Sequence, residues 1–351
     1  MSEIKDMIIE VVDKIFKDNV EKETVDLLEE GKWAEDLWVL LAENEMLNFV
    51  LLEEHGGVGG DLDCVLNVYK LVGKYAVPIP FIEHTLANLT LETSGLTPIT
   101  EKATLVIDEE QLLEFNDEKV SGVLHNVPWA RHMEHVVTVA KQQENYFIVQ
   151  LPIKNVAITL QINLAAEPRD FIIFDNVPVV QKIIVPKELI KSLKKIITAA
   201  IIAKMTGALE KAKELTVQYS KEREQFGRPI HRFQLVQQHI AILAGETAIT
   251  NTSVDNMISA LAEGREENEV ALARLRIEES SRIVVTSAHQ VHAAIGVTHE
   301  HSLHHYTRRL WSWREEGYTS YYWKKKLAQA LLQSDNDLWE FITKSNKVHQ
   351  Q

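Results

Sequence analysis

Apolar residues recur at helical spacing from Leu189 to Leu215, through Leu193, Ile196, Ile197, Ala200, Ile201, Met205, Leu209 and Ala212. A helix over 187–219 reaches about 50 Å at 1.5 Å per residue. A rod of that length needs partners of similar length. The sequence supplies them: further helices are predicted over Arg232–Ala262, Glu266–Ala294, Glu300–Glu316, Thr319–Gln333 and Asn336–Lys344. Long helices with short connections predict a four-helix bundle over 187–351.

The rest of the chain has two other textures. Residues 1–100 read as helices, with Ile4, Ile8, Val11, Val12 and Ile15 at helical spacing and a second pattern from Trp33 to Leu47. A helix follows around Leu62–Tyr75, is broken at Val77-Pro78, and resumes over Phe81–Thr93 before Ser94-Gly95. Residues 101–186 carry short β-branched runs (ATLVI, VVTVA, YFIVQL, VAITLQI, FIIF) between turn residues, which predicts a small antiparallel β domain. The expected fold is α+β and mostly α: an N-terminal helical domain (1–100), a middle β domain (101–186) and a C-terminal bundle (187–351). No strand–helix alternation supports a dinucleotide-binding sheet.

Composition narrows the function. With 351 residues the chain is long enough for two or three domains. Its net charge of −14 argues against nucleic acid or an anionic membrane as main partner. The single cysteine, Cys64, excludes an intramolecular disulfide and a multi-cysteine zinc site, and its apolar surroundings predict burial. No run approaches the roughly 20 apolar residues of a span, and the N-terminus lacks a signal-peptide pattern. The expected location is the cytoplasm.

Three stretches carry chemistry. His55–Gly60 is glycine-rich, but its helical flanks predict a plain loop and not a phosphate cradle. Arg223–Gln234 reads R-E-Q-F-G-R-P-I-H-R-F-Q, and Gln290–His301 reads Q-V-H-A-A-I-G-V-T-H-E-H. Thr298 is placed to cap a helix opening at Glu300. Histidines cluster at 289, 292, 299, 301, 304 and 305. His301 and His305 have i, i+4 spacing, but no H-E-x-x-H pattern appears and no metal is expected.

The last two stretches resemble the signatures of the flavin-dependent acyl-CoA dehydrogenase family, and LLEEHGGVGGDLDCV and SGVLHNVPWARHMEHVVTVA resemble further parts of it. The resemblance implies FAD, an acyl-CoA or related thioester as substrate, an electron-transferring flavoprotein as acceptor, and a homo- or hetero-oligomer. It assigns Arg223, Phe226, Gln234, Gln290 and Ala294 to a flavin site, in relatives that of the neighbouring subunit. It matches Glu316-Gly317 to the pair that carries the catalytic base, although an ungapped count from Arg309 places Gly317 there. Ala293-Ala294 stand where the family has Gly-Gly, and the T-E-P-x-x-G-S-D segment that holds flavin and substrate is not visible. Two functions follow: α,β-dehydrogenation of an acyl-CoA, or a non-catalytic partner subunit completing another chain's FAD site.

Overall fold

The computed structural model describes residues 2–265, 268–334 and 337–343. The predicted helix ends at Glu266, Asn336 and Lys344 lie outside the described residues. The elements are α1 (Ser2–Asn19), α2 (Lys22–Asp26), α3 (Glu35–Glu43), α4 (Leu62–Lys74), α5 (Phe81–Thr93), β1 (Ala103–Val106), β2 (Leu113–Asn116), β3 (Lys119–Pro128), β4 (His135–Gln142), β5 (Asn145–Pro152), β6 (Ala157–Thr159), β7 (Arg169–Pro178) and β8 (Gln181–Val185). They continue with α6 (Lys187–Glu222), β9 (Glu224–Gln225), β10 (Arg228–Pro229), α7 (Gln234–Ala262), α8 (Glu269–His292), α9 (Leu303–Arg314), α10 (Ser320–Gln333) and α11 (Leu338–Thr343). No helix of the described residues is long and apolar enough to cross a membrane.

Two compact units share these elements. One comprises Met1–Gly60 and Pro78–Ile197, the other Asp61–Val77 and Thr198–Gln351. In the first, the sheet runs β6-β7-β3-β2-β4-β5-β8, with β1 beside β4. It is not purely antiparallel as expected: β1 and β2 both pair with β4 in parallel. Both are four-residue strands, too short for periodicity to reveal their direction. Alternate residues of the strands, among them Phe115, Leu124, Val149 and Phe174, bury one face together with Trp129. The helix predicted over Trp33–Leu47 is shorter, and Glu45 at φ 60 lies beyond its end.

The glycine-rich loop also belongs to this unit. Gly57, Gly59 and Gly60 donate their amides to the carbonyls of Leu52, Leu51 and Phe49 at 3.1, 2.7 and 3.1 Å. A phosphate cradle needs such amides turned outward, so the expected plain loop is what forms.

In the second unit, α4 joins the C-terminal helices. Asp61 caps it by accepting from the Cys64 amide at 2.8 Å, and Cys64 is buried. Helices α4 and α6 meet backbone to backbone at two glycines. A Cβ on Gly73 would lie 1.7 Å from the Lys204 carbonyl oxygen, and one on Gly207 1.8 Å from that of Lys70. Both partners are helix backbone and cannot yield. Gly207→Ala is therefore expected to destabilise the chain by about 3 kcal/mol, the upper range for overpacking. Gly245→Ala on α7 meets nothing within 4 Å and should stabilise by about 0.5–1 kcal/mol. Urea unfolding of the two variants checks the contrast.

Candidate functional site

Helix α6 ends at Glu222, and the chain turns through the β9–β10 hairpin. Its central residues, Phe226 and Gly227, have φ of 53° and 74°, the sign a two-residue hairpin turn demands at both positions. Glycine adopts this freely; phenylalanine does so at a cost of order 1 kcal/mol. Phe226 is nonetheless 92 % exposed, with its ring edge-on to Phe233 at 6.2 Å. The Arg228 guanidinium lies 4.2 Å from the centre of the Phe233 ring. The Ile230 amide donates to the Arg223 carbonyl at 2.8 Å and closes the turn. Arg223 and Gln234, which opens α7, are exposed.

Gln290 is exposed near the C-terminus of α8, as are Ala293 and Ala294 just beyond it. Ala293 has φ 53° and ψ −138°, a conformation native to glycine. The backbone thus keeps the geometry that a Gly-Gly pair would allow, despite the added Cβ. Thr298 does not cap a helix. It donates to the Ile295 carbonyl at 3.0 Å, and α9 begins only at Leu303. His301 therefore precedes the helix and does not share a regular helix face with His305.

Stacked rings tie the two segments together. The Tyr219 ring lies 4.4 Å from the buried His292 imidazole at 16°, and His292 meets His301 at 4.6 Å. Arg223 is one turn past Tyr219, and Gln290 is two residues before His292. Arg223, Phe226 and Gln290 thus gather at one end of the bundle.

Glu316 is not with them. It follows α9, and its Oε2 pairs with the Lys204 ammonium at 2.9 Å. The ammonium also sits 4.6 Å from the centre of the Trp313 ring. Lys204 lies on α6, whose last residue, Glu222, immediately precedes Arg223; the helical rise from Lys204 to Glu222 is about 27 Å. Arg274 on α8 secures the same corner. Its guanidinium is fully buried and donates to the carbonyls of Trp313, Arg314 and Glu316 at 3.3, 2.7 and 3.2 Å, satisfying acceptors that the end of α9 leaves over. Burial pushes Arg274 down from its ordinary pKa, opposed by the charge and hydrogen bond of Glu278 and then by the charge of Glu316. Glu278 accepts from Arg274 at 2.8 Å and from the Ser320 amide, at the start of α10, at 3.0 Å. Gly317 has φ 61°, where a side chain is strained, and a Cβ there would press on the tip of Ile201, 2.9 Å from Cδ1.

The family model for the acyl-CoA dehydrogenase C-terminal domain matches residues 198–315. Acyl-CoA dehydrogenase IpdE2 of Mycolicibacterium smegmatis is 29% identical over 316 residues, covering 88% of this chain and 93% of the relative. The C-terminal region thus matches the acyl-CoA dehydrogenase family, and most of the chain is similar to one of its members. Among solved structures, a chain of the ChsE4–ChsE5 complex from Mycobacterium tuberculosis superposes with a TM-score of 0.87 at 18% identity, over 96% of this chain and 99% of that one. Butyryl-CoA dehydrogenase from Megasphaera elsdenii gives 0.83 at 16% identity, over 95% and 99%. These establish the acyl-CoA dehydrogenase fold: helices, a small β domain and a C-terminal helical bundle.

The donor set suits an FAD that approaches from outside. Arg223, Gln234 and Gln290 present uncommitted surface, and Ala293 keeps a glycine-type backbone next to Ala294. Sequence reasoning missed Lys204. Its only signal is a lysine inside the apolar run AAIIAKM (199–205), where an ammonium must find a counter-ion.

The ring stack gives this end of the bundle a pH dependence. Burial pushes His292 down to about 4, opposed by its bond to the Ala288 carbonyl and aided by His301 and His289. The unfolded chain therefore binds more protons than the folded one between about pH 6.5 and 4. Stability is full above that window and falls as pH drops through it, by up to about 3 kcal/mol for this residue. His292→Phe keeps a ring against Tyr219 and should flatten the slope, measured by urea unfolding at about pH 7.5 and 4.5.

Proposed function

We propose that this acyl-CoA dehydrogenase-family chain serves the FAD-dependent α,β-dehydrogenation of an acyl-CoA thioester in the cytoplasm. It does so within an oligomer, and electrons leave to an electron-transferring flavoprotein. The observation that carries the reading is the exposure of Arg223, Phe226, Gln234, Gln290 and Ala294 while the turn at Phe226 and the backbone at Ala293 are held in costly conformations. Strain kept at a solvent-facing segment is expected where a ligand or partner completes it. In this reading Arg223 offers its planar fork to paired phosphate oxygens. The amides of Gln234 and Gln290 bond polar edges of the cofactor, and Phe226 covers it from water. FAD, when bound, accepts the β-hydride of the substrate.

A second form of the reading is favoured by the Lys204–Glu316 pair: the chain is a non-catalytic partner subunit lending these residues to a neighbour's FAD. Residues that face outward cannot enclose a cofactor in their own chain, and the matched base position pairs with Lys204, about 27 Å along α6 from the helix end that Arg223 follows.

The flavin spectrum tests both forms. The chain as an oligomer, or its complex with a related chain, should purify yellow. An Arg223→Ala, Gln290→Ala double variant should hold FAD roughly thirtyfold to a thousandfold more weakly, the loss expected for a charged and a neutral hydrogen bond. Unchanged retention would remove these residues from the cofactor site. Bleaching by a panel of acyl-CoA thioesters then reports the chemistry. Bleaching by the chain alone supports independent catalysis, whereas bleaching only in a heteromeric complex supports the partner-subunit form.

A further inference from the structure

The corner that carries Glu316 is built to hold a carboxylate still. A base that takes an α-proton needs a desolvated carboxylate with raised proton affinity and freedom to meet the substrate. Glu316 has the opposite surroundings. The Lys204 ammonium lies 2.9 Å from Oε2, and an opposite charge at that distance favours the ionised carboxylate and makes it a poorer base.

Lys204 is poorly placed to withdraw. Its side chain is 6 % exposed. Its own carbonyl lies under Gly73 at the close crossing of α4 and α6, so the main chain from which the side chain springs is fixed. The Trp313 ring covers one side of the ammonium, an arrangement that suits a desolvated cation. Glu316 is held from its backbone as well, by the bond from Arg274. The charged groups around the carboxylate are Lys204 from α6, Arg274 and Glu278 from α8, and Glu315 beside it in the chain. Turning Glu316 toward a substrate would strand the Lys204 ammonium in a protein interior.

We propose that Lys204 withholds Glu316 from proton transfer, converting the residue at the family's base position into a fixed structural anion that joins the end of α9 to α6. The inference rests on the family reading of Glu316-Gly317 and deepens it. Within an assembly, the carboxylate that removes the α-proton then belongs to a different residue or a different chain, and Lys204 is the positioning residue that sets this division.

Carbon-13 NMR of the full-length chain labelled at the glutamate carboxyl tests the idea without cofactor or substrate. The Glu316 signal is assigned by its disappearance in Glu316→Gln and followed through an acid titration. The expected result is a midpoint that moves to higher pH in Lys204→Met and returns toward the wild-type value in Lys204→Arg, a rescue that packing alone would not produce. Identical midpoints in wild type and Lys204→Met would overturn the proposal. If Lys204→Met does not fold, Lys204→Gln removes the charge while keeping polar contacts. Butyryl-CoA in heavy water provides the second readout. The wild-type chain should place no deuterium at the α-carbon through Glu316. Exchange that Glu316→Gln abolishes would sink the lock. Calorimetric titration with butyryl-CoA separates the two claims: failure to bind would count against the acyl-CoA reading, while the carboxyl titration would still decide the lock.

Discussion

The close approach of α4 and α6 at Gly73 and Gly207 fixes the geometry on which the second unit depends. Two helices whose backbones touch have no side-chain layer in which to slide, so their register is tightly set. The crossing places two lysines, because the carbonyls under the missing Cβ atoms are those of Lys204 and Lys70. Lys70 reaches Asp255 on α7 at 2.8 Å, and Lys204 reaches Glu316 after α9 at 2.9 Å. A stretch from the first quarter of the chain thereby fixes groups far along the sequence, and the crossing becomes the reference from which the candidate residues are positioned.

The two ends of α6 embody opposite solutions for polar groups. At the Glu316 corner the groups answer one another: Lys204 with Glu316, Arg274 with three carbonyls and Glu278, and Glu278 with the α10 amide. Such a network rigidifies because each member loses its partner if another moves. At the Arg223 end the side chains face water and two non-glycine residues, Phe226 and Ala293, sit in conformations of positive φ. The first arrangement is what a finished structural joint looks like. The second is what a surface awaiting a ligand or a subunit looks like. The family signatures contain both segments without distinguishing them.

Much of the architecture was legible because it rests on local periodicity. The stripe from Leu189 to Leu215 specified α6, and Val77-Pro78 and Ser94-Gly95 marked real breaks. The β-branched runs located the sheet. What periodicity could not give was strand direction, since alternation reads the same in parallel and antiparallel ladders, and so the partnership of β1 and β2 with β4 went unseen. Thr298 failed as a cap because capping depends on where the following backbone turns helical, and the chain stays in turns from Thr298 to Ser302 before α9 opens at Leu303. Lys204 stood in plain view as a charge within an apolar run, but a stripe pattern says only that such a residue needs a partner and not which one.

The sequence by itself carried the resemblance to a family, the order of helices and strands, and the residue types available at each signature, because these depend on local spacing and on strings specific enough to recognise. Only the tertiary structure decided how those residues were divided. It gathered Arg223, Phe226 and Gln290 at one end of the bundle and left them open to solvent. It placed Glu316 far along α6 against a buried ammonium. Separation and charge pairing are properties of three-dimensional packing between segments remote in the chain, and no local pattern encodes them.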